Sequence, residues 1–176
     1  MSYYRDQLEQ WLKQLDVKAD IVYDVGGGQG NVKGRTKSWE VEKYRVLDLP
    51  DYDIDTQHRT TYKQADVVFC LEVFEYLINP VVALSNIRYL LKDGGKAYVT
   101  FAFVYPLHEE TNLDSLRYTE TGVNRMVQRL KMKVTDIWYR IDKSGLLQTF
   151  YASDGMHPAK GYQHHNATGF IIEVTK

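Results

Sequence analysis

Apolar positions along the chain switch between two spacings, and the switching predicts its elements. Tyr4, Leu8, Trp11, Leu12 and Leu15 recur at the spacing of one helix face, with charged and amide side chains between them. They predict an amphipathic covering helix. Ile21 to Val25 is a short, apolar, β-branched run that stops at three glycines, as a buried strand does when it turns under a ligand. Tyr44 to Asp48 repeats the signature, and Tyr52 to Ile54 reads as a short third strand closed by Asp55. Ala65 to Leu71 is the most apolar strand and belongs in the sheet centre. Asn79 suits an N-cap, Pro80 the first helical position and Gly94-Gly95 the stop, with Leu84, Ile87 and Leu91 as the buried stripe between them. Lys96 to Phe103 reads as a further strand, and Glu120 to Leu130 as a helix turning Val123, Met126, Val127 and Leu130 inward.

Strand and helix alternate, so the fold class is α/β with a mainly parallel sheet and helices on both faces. No helical pattern separates Val134–Ile141 from Thr168–Thr175. Two such strands pair as a C-terminal antiparallel hairpin, which brings the expected sheet to seven strands. Asn31 to Glu42 shows no helical stripe, and a truncated or irregular connection is expected there.

Composition narrows the class of function. With 176 residues the chain fits one domain: a covering helix over 1–19, a ligand-binding core over 20–133, and a strand pair with its loop over 134–176. A net charge of -1, from 22 Lys plus Arg against 23 Asp plus Glu, gives no global reason to bind nucleic acid. Arg125, Arg129, Lys131 and Lys133 read as the solvated face and end of a helix. A single cysteine, Cys70, excludes an intramolecular disulfide and suits a reducing compartment. No targeting segment or run of about eighteen apolar residues is present. The expectation is a soluble cytoplasmic protein with no membrane partner.

The chemistry sits after the first strand, in Asp24-Val25-Gly26-Gly27-Gly28-Gln29-Gly30. An open parallel sheet binds ligands outside the carboxyl ends of its strands, and glycines let backbone approach them. Asp48, closing the second strand, is placed to accept both hydroxyls of a ribose. Together these predict a nucleoside-containing cofactor. A dinucleotide fingerprint counted from Gly26 needs its third glycine at Asn31, so the pyrophosphate loop is poorly matched.

What the run does match is acid-x-Gly-x-Gly-x-Gly, and here the chain resembles the class I, Rossmann-like methyltransferases that depend on S-adenosylmethionine. Cys70-Leu71-Glu72-Val73-Phe74-Glu75-Tyr76 with Asn79-Pro80 resembles the motif after the fourth strand in the type-11-like branch. Tyr105-Pro106-Leu107-His108 and Asp114 to Thr119 resemble that branch's loop after strand five. The resemblance spans about Ile21 to Leu130. It implies that Gly26, Gly28 and Gly30 shape the cofactor loop, with Asp24 beside the methionine moiety and Asp48 on the ribose. It also implies Asp55 at the adenine amino group, Glu72 near the sulfonium, and S-adenosylhomocysteine as product. Tyr76 stands where many relatives have histidine, so that histidine's role does not transfer.

The acceptor must be oriented and deprotonated, and orientation alone can supply roughly 7 to 11 kcal/mol. His108 is the first candidate base. Glu109, Glu110 and Tyr118 are weaker ones, and Arg117 could orient an anionic acceptor or brace the loop. Each has a structural alternative: Asp48 as a cap, His108 bonded to backbone, Arg117 paired with Asp114 three residues away, Glu75 merely starting a helix. Cys70 reads as packing. His157, His164 and His165 invite a metal, but adjacent residues of an extended chain point apart and no acids flank them, so no metal is expected. The expected partner is a small-molecule acceptor such as a sugar or metabolite, with a partner subunit or homo-oligomer open. The rival readings are a non-catalytic binding or regulatory subunit and a nicotinamide-dependent oxidoreductase.

Overall fold

A computed structural model describes residues 3–28, 32, 38–56, 61–107, 113–143, 147 and 166–176. Helix α1 (Tyr3–Gln14) leads into β1 (Lys18–Val25) and β2 (Glu40–Leu47), followed by β3 (Ala65–Cys70) and a single 3-10 turn at Phe74–Tyr76. Then come α2 (Pro80–Leu90), β4 (Leu91–Ala102), α3 (Glu120–Arg129), β5 (Lys133–Ile141) and β6 (Ala167–Thr175). The sheet runs β2-β1-β3-β4-β6-β5. Its first four strands pair in parallel, while β6 is antiparallel to both β4 and β5. β5 therefore points the same way as the first four.

Strand periodicity separates two cores. Val68 and Cys70 face the layer made by Leu84 and Ile87 of α2 and Val123 and Val127 of α3. Their neighbours Val67 and Phe69 face Leu8, Trp11 and Leu12 of α1, because alternate side chains of a strand leave on opposite faces. The amphipathic first helix is thus a cover for one face of the sheet. Its Gln7 carboxamide fixes the docking: Nε2 donates to the Ile141 carbonyl (3.2 Å) and Oε1 accepts from the Ile141 amide (2.8 Å).

Two expectations need correction. The sheet has six strands among the described residues, not seven, because Tyr52–Ile54 does not join it. The chain turns directly after β2, with the Tyr52 amide donating to the Asp48 carbonyl (2.9 Å). The Ile54 and Thr56 carbonyls then accept from Asn86 Nδ2 of α2 (2.9 and 2.5 Å). A helix side chain supplies bonds that a ladder would have supplied, while Tyr52 and Ile54 bury their side chains. The second correction concerns α2, which ends at Leu90 rather than at the glycine pair. Leu91 already belongs to β4, and Gly94, at φ +78°, lies inside that strand next to a register shift against β3.

β2 also begins at Glu40, four residues ahead of the expected start. Half of the expected irregular connection over 31–42, and the greater part of the loop joining β5 to β6, lie outside the described residues. No described helix is long and apolar enough to cross a membrane.

Candidate functional site

At the carboxyl ends of β1, β2 and β3 the chain leaves a cleft of about 1090 Å³, lined among others by Gly26, Asp48, Asp55, Glu72 and Glu75 and flanked by Tyr4 of α1. This is where an open α/β sheet binds ligands. Asp24, the last acid of β1, is buried under the glycine turn. Its Oδ2 accepts from the Val32 amide (2.8 Å) and from the Tyr44 hydroxyl. The carboxylate therefore ties the glycine loop to β2. Gly26 donates its amide to the Leu47 carbonyl (2.8 Å) and sits at φ +76°, a conformation that L side chains disfavour. A Cβ there would also collide with Val73.

Gly28 binds the second acid directly: its amide donates to Asp48 Oδ2 (2.7 Å). A Cβ at Gly28 would overlap that same oxygen. Asp48 Oδ1 accepts from the Leu49 amide (2.8 Å). Each carboxylate oxygen has two acceptor sites, so with respect to the described residues both keep one that a ligand hydroxyl can use. Gly30 lies outside the described residues.

Asp55, also in the cleft lining, is held by backbone. Its two oxygens accept from the Ile78 amide (2.7 Å) and the Asn79 amide (2.6 Å). Asn79 holds the N-cap position but its own side chain makes no capping bond; Asp55 supplies the acceptor from across the cleft. Asp53 in turn accepts from the Asp55 amide (2.9 Å). Leu49 and Ile78, 69% and 80% exposed, stand on the rim beside these acids and offer apolar surface to a flat ring.

Residues 21–97, less than half of the chain, match a family model described as a methyltransferase domain. No curated protein matches the sequence. A chain from the complex between the Haloferax volcanii Trm112 methyltransferase activator and its proposed methyltransferase superimposes with TM-score 0.63 at 16% identity, covering 98% of this chain and 95% of that one. An S-adenosylmethionine-dependent methyltransferase from Mesorhizobium loti gives TM-score 0.62 at 11% identity, with 98% of each chain covered. This chain has the class I methyltransferase fold. A [4+2]-cyclase, SpnF, shares it at TM-score 0.57 and 12% identity, over 97% of this chain and 80% of that one, so the fold hosts more than one chemistry.

Within this methyltransferase fold the far end of the cleft holds a cluster that sequence reading found only in part. Glu72 adopts φ +58°, rare for a non-glycine residue and the kind of strain that persists only when its surroundings hold it. Its amide donates to Thr100 Oγ1 (2.6 Å). Its carboxylate receives both terminal nitrogens of Arg140, at 2.9 and 3.1 Å. Arg140 is 1% exposed and lies over the Tyr4 ring, 3.9 Å from its centroid. Burial works against the guanidinium charge, but Glu72 and Tyr4 outweigh it and raise its pKa.

Glu75, three residues on, is 4% exposed and lines the cleft. Burial, reinforced by the nearby Glu72 charge, pushes its carboxyl up to about 7. Its backbone is fixed, since the Glu75 carbonyl accepts from the Ser115 amide (2.9 Å) and the Leu116 amide (3.1 Å).

The residues expected to handle the acceptor fare differently in this methyltransferase fold. His108, Glu109 and Glu110 lie outside the described residues, as do His157, His164 and His165. Arg117 is a loop brace: it pairs bidentately with the buried Asp114 (2.5 and 3.0 Å) and donates to the Tyr105 carbonyl (3.3 and 3.2 Å). It has no place in the cleft lining. Tyr118 is likewise withdrawn, because its buried hydroxyl donates to the Phe74 carbonyl (2.7 Å) and burial raises its pKa. A phenol so held is a poor base. Cys70 is fully buried packing, with its thiol pKa pushed up by that burial. Arg140 and Tyr4 were missed; the available signal was an arginine inside the apolar run Ile137 to Ile141. For Glu75 it was the Glu72-x-x-Glu75 spacing over a tight turn.

Proposed function

We propose that the chain is an S-adenosylmethionine-dependent methyltransferase, working as one domain on a small-molecule acceptor. The observation that carries this reading is the bond from the Gly28 amide to Asp48 at the ends of β1 and β2, which sets a glycine turn against a carboxylate with acceptor capacity left over. Asp48 would take the ribose hydroxyls, Gly26 and Gly28 the backbone approach, and Gly30 the rest of the loop. Leu49 and Ile78 would enclose the adenine, with Asp55 or Asp53 at its amino group. Asp24 would act on the methionine moiety through the loop that it ties down. The group supplies a methyl already activated on a sulfonium, so these residues need only bind, orient and exclude water.

Calorimetric titration with S-adenosylhomocysteine and separately with NADH tests the assignment. Saturable binding of the first alone, weakened at least tenfold in Asp48→Ala, is the expected result; binding of NADH alone would replace it with the oxidoreductase reading.

A second reading has its own support. The Haloferax volcanii structure pairs its chain with an activator subunit, and a methyltransferase fold that turns over only with a partner, or serves as a regulatory subunit, would bind cofactor without activity alone. Cofactor binding with no turnover until a partner is added would favour it.

A further inference from the structure

We propose that Glu75 is the general base of the transfer and that the acceptor is an uncharged aromatic molecule methylated on a phenolic hydroxyl. The proposal rests on the methyltransferase reading above.

Among the described residues three acids stand at this end of the cleft, and two are committed. Glu72 has both oxygens on Arg140, and Asp114 has both on Arg117. Glu75 has no ion-pair partner among the described residues; its carboxyl is held by its own backbone amide. A buried carboxylate without a counter-cation is costly, and such a group, rigidly held at a cleft wall, is suited to exchanging a proton rather than to bracing. Rigidity comes from the two amides bound to the Glu75 carbonyl and from the Tyr118 hydroxyl on the preceding Phe74 carbonyl.

The surrounding charges fix the direction of its titration. Glu72 and Tyr76 face it from its own segment, Arg140 from β5, and Tyr4 from α1. Asp114, Arg117 and Tyr118 face it from the stretch before α3, and Cys70 from the end of β3. Both arginines of this set are held by another acid, so burial dominates and the carboxyl titrates near neutrality, where a base is most useful.

The same geometry selects the acceptor. Tyr4, Tyr76 and Tyr105 line this end of the cleft and present ring surface to a flat molecule. The cleft-side arginines are paired, Arg140 with Glu72 and Arg5 with Glu9, so an anionic acceptor meets no uncommitted guanidinium among the described residues. A phenol, with a pKa of about 10, lies within reach of such a carboxylate, whereas an alkyl alcohol is a far weaker acid. In the step, the phenolic proton passes to the Glu75 carboxylate while the oxygen bonds to the methyl carbon. The carbon–sulfur bond breaks with its electrons left on sulfur, giving the aryl methyl ether, neutral S-adenosylhomocysteine and a protonated Glu75.

The test supplies S-adenosylmethionine with phenol, catechol, 4-nitrophenol, benzyl alcohol and benzylamine to wild type, Glu75→Gln and Glu75→Asp. Wild type is expected to methylate the phenols, with kcat rising as pH passes through about 7. Glu75→Gln is expected to lose about 100-fold in kcat on phenol or catechol with KM little changed and the pH rise abolished. The loss should shrink for 4-nitrophenol above pH 8, where that acceptor is already ionised, and Glu75→Asp should recover part of the rate. Calorimetry with S-adenosylhomocysteine reports whether each variant is folded. Wild type that binds S-adenosylhomocysteine but methylates none of the phenols, or only the amine, overturns the acceptor class. Glu75→Gln within threefold of wild type on phenol overturns the base. Failure of wild type to bind S-adenosylhomocysteine overturns the underlying reading instead.

Discussion

Arg140 and Glu72 meet through two hydrogen bonds, 2.9 and 3.1 Å long, across 68 residues of sequence. The arginine side chain is 2% exposed and the glutamate 23%, and the pair holds Glu72 in its left-handed backbone conformation. Removing one partner of a buried pair costs more than removing both, because the survivor keeps an uncompensated charge. Arg140→Met is therefore expected to lower unfolding free energy by about 3 kcal/mol. Adding Glu72→Gln should restore part of that loss. Urea unfolding of the two single variants and the double variant checks it, and additive losses would contradict a coupled pair.

Glu75 makes stability depend on pH in a definite direction. Its carboxyl titrates at about 7 in the folded protein against an ordinary 4.5, so the folded state holds the proton longer. The favourable contribution is complete below pH 4.5 and disappears as pH rises through 7. Glu75→Gln, which cannot ionise, should be more stable than wild type above pH 8, by up to about 3 kcal/mol. The difference should shrink as pH falls toward 5. Unfolding curves at pH 5 and 8.5 decide it; equal differences at both values would show that the carboxyl is not held protonated.

Gly28→Ala separates site geometry from fold. The added methyl overlaps Asp48 Oδ2, so the carboxylate must swing away and its hydrogen bond from the Gly28 amide is lost. Binding of S-adenosylhomocysteine should weaken at least tenfold, about 1.4 kcal/mol. Gly26→Ala should instead unfold more easily, since it combines a φ of +76° with a collision against Val73 and costs upward of 1 kcal/mol. Calorimetry and thermal unfolding on both variants distinguish the two effects.

Asp55→Ala should be destabilising with no cofactor present. Two backbone amides at the start of α2, those of Ile78 and Asn79, lose their acceptor, and removal of a cap costs about 1 kcal/mol. A thermal midpoint equal to wild type in cofactor-free buffer would contradict the capping role.

The parts of this fold legible in the sequence are those fixed by local pattern. Leu84 and Ile87 sit at helix spacing after Asn79-Pro80, and Ala65 to Leu71 is apolar except for Asp66; those apolar side chains become buried. The glycine loop and Asp48 could be read because their residue types and positions at strand ends are themselves the signal. What stayed hidden depended on distant partners. Tyr52–Ile54 has strand composition, yet Asn86 from α2 takes its carbonyls. Asp55 has a second role that the sequence does not show, because nothing local reveals that it accepts from the amides of Ile78 and Asn79. Arg117 and Tyr118 looked catalytic by residue type, and only packing against Asp114 and Phe74 withdraws them. Arg140 lies far along the chain from Glu72, beyond the reach of any local spacing.

β6 lies between β4 and β5, although it follows both along the chain. In sequence β5 therefore precedes the strand that joins it to the sheet, whereas α1 and α3, which pack against it, come before it. Arg140, carried on β5, reaches Glu72 across that inserted strand, so the cleft wall depends on β6 to hold β5 at its distance from β4.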